Sequence, residues 1–156
     1  NLNFIDGIQQ GEFNSWYENS QLKEKFNFVN DTCEGVHKCW YKNGQLENEC
    51  NFTHGELDGE FKEWHENGKL KSHSTYVEGK PRGDCRKWYE SGQLKKSVIH
   101  SDDGQTVSVT TWHTNGQMNR KFEKNCNVLH GRAIAWTKEG QVIQDVVYDY
   151  GVLSVE

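Results

Sequence analysis

The chain has 156 residues, a formal charge of −5 and only 33% hydrophobic residues, with a mean hydropathy of −0.95. That balance excludes a thick apolar core, while six Trp, six Tyr and seven Phe exclude disorder as the reason for it. No apolar run approaches the roughly 18 residues of a membrane-spanning helix. The first residue is Asn1 rather than Met and no signal peptide is visible, so the chain is expected to be a piece of a longer polypeptide. Charge is uneven: 4 Lys against 11 Asp/Glu over residues 1–60, 12 Lys/Arg against 8 acids over 61–124, and 2 against 4 over 125–156. A basic middle between acidic ends is a patch, not a nucleic-acid-binding balance.

In chain order, residues 1–10 form a partial unit in which Phe4 lies twelve positions before Trp16. Six units follow, about 11–34, 35–58, 59–82, 83–106, 107–130 and 131–156. Their phrases read WYENSQL, WYKNGQL, WHENGKL, WYESGQL, WHTNGQM and WTKEGQV, opening at Trp16, Trp40, Trp64, Trp88, Trp112 and Trp136, with every gap 24. Five positions before each Trp stand Gly11, Gly35, Gly59, Gly83, Val107 and Gly131; six after it stand Leu22, Leu46, Leu70, Leu94, Met118 and Val142. Such a period marks an array of identical supersecondary units, each needing its neighbours for burial.

Each unit contains two short segments rich in aromatic and β-branched residues, bounded by Gly or Asn, and no stretch long enough for a helix. Two strands and two turns per unit predict an all-β, elongated, single-layer antiparallel sheet of tandem hairpins. A sheet of about twelve strands must twist or curl. Ser91 and Glu139 resist the paired positive φ of a type I′ turn, so a type I turn with a G1 bulge is expected, with positive φ confined to Gly44, Gly68, Gly92, Gly116 and Gly140. That geometry sets Trp opposite Leu in every unit. Ser20 replaces the turn glycine in the first unit, predicting a strained or differently shaped turn. Pro81 is expected in the turn EGKPRG between units. Unit five departs most, with Val107 for Gly, Lys124 for an aromatic, Asn127 for a turn Gly and the irregular SDDGQT before it, and predicts a kink or looser packing around residues 100–110.

These residues resemble the MORN repeat. The unit G-x-x-x-x-W-[YH]-x-N-G-Q-L, followed by a charged strand, an aromatic and x-x-G, is most similar to the bacterial and viral variant typified by the YwqK family. The resemblance implies stacked hairpins in a twisted sheet and a non-catalytic scaffold that mediates protein–protein interaction. It also implies an antitoxin-like inhibitor as an alternative, since some relatives are described so. The rhythm is similar, too, to choline-binding cell-wall repeats, but one Trp per unit makes a thin aromatic cage.

Among candidate sites, the Trp ladder reads first as packing. The adjacent column Tyr17, Tyr41, His65, Tyr89 and His113 falls on the other face if strands alternate and is the better contact surface. Lys80, Arg82, Arg86, Lys87, Lys95 and Lys96 form a basic patch, either a solvated face or a landing site for anionic lipid headgroups or an acidic partner. Five Cys at unrelated repeat offsets suggest free thiols in a reducing, cytoplasmic compartment. Cys33, His37, Cys39, Cys50 and His54 are zinc-type ligands within one unit. However, they match no common zinc spacing, and in the register that pairs Trp40 with Leu46, Cys50 points away from His37 and Cys39. No metal is therefore expected, and with seven His and 23 acids scattered and no nucleophile motif or phosphate loop, no cofactor or catalytic group is expected either. The last unit is the most apolar, from Ala133–Ala135 through Val142, Ile143, Val146, Val147, Val152 and Leu153 to Val155, and reads as a cap or as an edge for self-association.

Overall fold

The computed structural model describes residues 3–154, so Val155 lies outside the described residues. No helix forms among them. Two compact units divide between Pro81 and Arg82.

The first unit contains β1 (Phe4–Ile5), β2 (Ile8–Gln9), β3 (Gly11–Trp16), β4 (Leu22–Val29), β5 (Thr32–Cys33), β6 (Gly35–Trp40), β7 (Leu46–Thr53), β8 (Glu56–Leu57), β9 (Gly59–Trp64) and β10 (Leu70–Val77). The second contains β11 (Lys80–Trp88, from Arg82 on), β12 (Leu94–His100), β13 (Thr106–Trp112), β14 (Met118–Asn125), β15 (Val128–Trp136), β16 (Val142–Asp149) and β17 (Val152–Ser154). Within each unit the hairpins pair antiparallel with their chain neighbours. β1 and β2 form a two-stranded sheet of their own, and the larger sheet is not closed into a barrel. The fold class expected from the sequence is the one observed.

Trp16 pairs with Leu22, Trp40 with Leu46, Trp64 with Leu70, Trp88 with Leu94, Trp112 with Met118 and Trp136 with Val142. A register shift follows at once in each hairpin, as between Cys39 and Trp40. At the turn itself only the glycine takes positive φ, +84° at Gly44 and +86° at Gly140, so the G1-bulge geometry holds. Ser20 adopts the same conformation at +66°, and its N–H donates to Tyr17 O at 3.0 Å as Gly44 N–H donates to Tyr41 O at 2.9 Å. The first turn is therefore strained but not reshaped.

Connections between successive hairpins use a different device. Asn30–Asp31, His54–Gly55, Glu78–Gly79 and Cys126–Asn127 all have two residues at positive φ, the pattern of a type I′ turn. Asn127 at +68° thus fills the role expected of Gly. The turn is complete at Gly79, so Pro81 lies inside β11 and not in the turn, a correction to the sequence reading. The paired register of β11 with β12 begins only at Gly83, and the first residues of a strand tolerate proline.

Shortly beyond the turns Asn30–Asp31, His54–Gly55 and Cys126–Asn127 a bulge follows. Phe28 pairs with Cys33, yet Glu24 pairs with Cys39, two residues further than uninterrupted pairing allows. Gly35 sits at that bulge with φ +81°. In unit five the bulge is absent: pairing runs unbroken from Lys96–Thr111 to His100–Val107. The loop closing it is longer, with Ser101 N–H donating to Thr106 O at 2.9 Å and Gly104 at φ +71°. Val107 and SDDGQT are therefore two halves of one exchange, in which a longer loop removes the bulge and with it the need for glycine. The pairing shows no break where a kink was expected. Nor is packing looser there, for Val109 is only 6% exposed, one of the deepest hydrophobic positions beside Cys50 and Ala135.

Candidate functional site

The polar letters of the repeated phrase turn out to tie each hairpin to the next. Tyr17 Oη donates to Trp40 O at 2.8 Å, Tyr41 Oη to Trp64 O at 2.8 Å and Tyr89 Oη to Trp112 O at 2.9 Å. His113 takes the same place, its Nε2 3.0 Å from Trp136 O, which makes that nitrogen the N–H donor. The polar tips of Tyr17, Tyr41, Tyr89 and His113 are thus engaged within the array, and Lys23 and Lys42 sit 5.8 and 6.0 Å from the Tyr17 ring centroid.

The turn asparagines act twice. Asn43 Oδ1 accepts from Gln45 N–H at 2.9 Å, while Asn43 Nδ2 donates to Glu66 O at 3.2 Å in the following turn. Asn19 and Asn115 do the same to Lys42 O and Lys138 O. Glutamine completes the phrase: Gln21 Oε1 lies 3.2 Å from where a Cβ on Gly44 would stand, and Gln45 Oε1 3.2 Å from that of Gly68. The sequence reading uses Asn and Gln only as letters of the repeat motif and gives them no contact; their recurrence in the phrase is the signal that could have revealed one. By contrast, Trp is not the deepest layer. Trp16 is 53% exposed, and the buried positions are small residues such as Cys50, Ala135 and Ser72.

The basic patch is divided by strand alternation. Arg86 and its paired Ser97 lie on one face, and Lys87 and Lys96 pair directly across β11 and β12 on the other. Arg86 Nε donates to Asp84 Oδ2 at 2.6 Å, Arg82 Nη1 donates to Asp102 O at 2.8 Å, and Lys95 Nζ sits 5.3 Å from the Tyr89 ring centroid. Lys80, at the start of β11, is exposed. Lys96 pairs on with Thr111, and Thr111 with Arg120. Lys87, Lys96 and Arg120 therefore form a row on one face of the second unit, and no ion pair joins any of the three to a described acidic residue. Like charges set directly opposite destabilise a sheet unless an anion answers them. Arg120 was outside the patch as read from sequence, because it lies far along the chain from Lys96.

In the first unit the same parity rule overturns an expectation. His37 pairs directly with Cys50, and Cys39 with Asn48, so Cys50 shares a face with His37 and Cys39. The bulge after Trp40–Leu46 inserts one residue and reverses the side taken by everything beyond it. Glu24 pairs with Cys39 from the neighbouring strand. His37 Nε2 lies 3.1 Å from Glu24 Oε1 and 3.4 Å from Cys39 Sγ, and His37 Nδ1 lies 3.9 Å from Cys50 Sγ. Burial, and then the Glu24 carboxylate, push the Cys39 thiol up; burial pushes Cys50 up to about 11. Cys33 is on β5 and His54 in the turn after β7, the latter donating its N–H to Glu34 Oε2 at 2.9 Å.

Successive hairpins at a fixed 24-residue step, tied by Tyr, His and Asn, define a tandem-hairpin repeat protein. The model of the MORN repeat variant matches residues 9–30, 34–54, 57–78 and 81–102. The chain belongs to that family. No curated relative matches it.

Proposed function

We propose that this chain is a non-catalytic MORN-repeat scaffold that holds a protein partner, with six repeats of the YwqK-like kind. The hairpins Trp112–Met118 and Trp136–Val142 continue beyond the four matched repeats in the same register and support the higher count. One observation carries the scaffold reading. The phrase's hydroxyl and amide groups are spent on ties between hairpins 23 residues apart, so side chains on the outer face stand at regular intervals. That face carries ion pairs such as Lys25–Glu12 at 2.7 Å and Lys38–Glu49 at 3.3 Å. Among them stands an exposed apolar side chain of the same unit, Val36, 51% accessible. Charge beside isolated apolar residues suits a polar-rimmed protein contact.

The test is affinity capture at physiological salt, with the intact chain beside a Val36→Glu variant. A discrete protein held by the first and lost by the second is the expected outcome; equal retention by both sinks the outer face as the contact.

A second reading rests on the Lys87–Lys96–Arg120 row, which suits the phosphates of anionic lipid headgroups. Binding to anionic vesicles would fall steeply from low to physiological salt and would be lost in Lys96→Glu/Arg120→Glu. Salt-insensitive binding, or none, removes this reading and leaves the first untouched.

A further inference from the structure

We propose that Glu24, His37 and Cys39 form a binding site for a soft-to-borderline divalent cation, zinc above all. Three different donor atoms, a carboxylate oxygen, an imidazole nitrogen and a thiol sulfur, lie within 4.8 Å of one another. Tetrahedral zinc with bonds of about 2.0–2.3 Å requires donors roughly 3.4–3.6 Å apart. The observed His37 Nε2 separations of 3.1 Å to Glu24 and 3.4 Å to Cys39 need shifts of only a few tenths of an ångström. Three protein donors leave one position for water or a partner's ligand.

The histidine is also held in the orientation that a ligand needs. Its ring stands between Phe26, at a centroid distance of 5.1 Å, and Phe52, at 5.9 Å. Its Nδ1 faces the buried Cys50 Sγ at 3.9 Å. Without a cation Nε2 carries the proton and donates it to Glu24 Oε1; when the cation takes the Nε2 lone pair, the proton moves to Nδ1, where Cys50 Sγ accepts it. An outer partner of this kind fixes tautomer and ring orientation in metal sites.

Repeat comparison shows that packing alone does not call for these residues. The position of His37, three before each Trp, is filled by Phe13, Phe61, Cys85, Val109 and Ala133 in the other units. That of Cys39 is filled by Ser15, Glu63, Lys87, Thr111 and Ala135, and that of Glu24 by Asn48, Ser72, Lys96, Arg120 and Gln144. Only one unit boundary assembles all three donors. The paired register brings them together although Glu24 and Cys39 are 15 residues apart in sequence.

The test uses the whole chain, stripped of metal under reducing conditions and titrated with Co²⁺ as a coloured stand-in for zinc. The expected result is one equivalent of Co²⁺ giving thiolate-to-cobalt charge-transfer and tetrahedral d–d absorption, displaced by one equivalent of Zn²⁺. Cys39→Ser should abolish the charge-transfer band, and His37→Phe should weaken binding at least about tenfold. The second variant places the residue of two other units at that position, so its thermal transition should be retained and reports binding apart from folding. Cys85→Ser and Cys126→Ser should bind as the parent does. Absence of the bands in the parent, their survival in Cys39→Ser, or their loss in Cys85→Ser would each overturn the assignment.

Discussion

Gly44 occupies the left-handed region at φ +84°, and a Cβ there would stand 3.2 Å from Gln21 Oε1. Backbone strain for an L-residue at such φ is about 1–2 kcal/mol, and Gln21 must also move. Gly44→Ala should therefore lower unfolding free energy by about 1–2 kcal/mol in urea titration. Ser20 supplies the converse: it already bears that strain at +66°, so Ser20→Gly should raise stability by up to about 1 kcal/mol. Unchanged midpoints for both would contradict the turn assignment. Tyr41→Phe removes the hydroxyl that reaches Trp64 O and should cost about 1 kcal/mol without altering the fold.

Between hairpins, the exchange of bulge for longer loop makes an asymmetric pair of variants. Gly35→Val places a β-branched residue at φ +81° and should be strongly destabilising. Val107→Gly only adds freedom to a regular strand position and should cost about 0.5–1 kcal/mol from backbone entropy, plus the lost side-chain packing. In the last hairpin, Arg132 Nε donates to Asp145 Oδ1 at 2.7 Å and its Nη2 to Oδ2 at 2.5 Å. Those hydrogen bonds hold the Asp145 carboxyl below the usual carboxylate range. A depressed folded-state pKa contributes stability above the unfolded value, and that contribution is lost as pH falls through the folded one. Both groups are exposed, so the effect is small. Asp145→Asn should flatten the acid limb of the stability–pH curve for β15 and β16 and lower neutral-pH stability by the same small amount.

Across the whole array, each hairpin meets mainly its chain neighbours, so damage should stay local. Trp40→Ala should raise amide hydrogen exchange in β6 and β7 and in the flanking β4 and β9, while β15 and β16 retain parental protection. A uniform loss of protection throughout the chain would show instead that it unfolds as one cooperative body. The Trp40 pairing that motivates this variant was legible from the 24-residue step, and so were the turn glycines, because both arise from contacts six or fewer residues apart. The ties made by Tyr41 and Asn43 were not. Their partners lie 23 residues away, and nothing in one unit says which atom of the next it will touch.

The sequence alone determined the all-β hairpin array, the pairing of Trp with Leu and the glycine turn, since local sterics and a strict period leave little else possible. Only the tertiary structure decided which side chains share a face. One inserted residue at each bulge reverses the side of all that follow, and that reversal sets Cys50 beside His37. Pairing between hairpins then adds Glu24 to Cys39. Likewise, the row of Lys87, Lys96 and Arg120 exists because three strands pass side by side. Lateral proximity in a sheet is fixed by register, which depends on bulges and loop lengths summed along the chain and not on the residues at any one position.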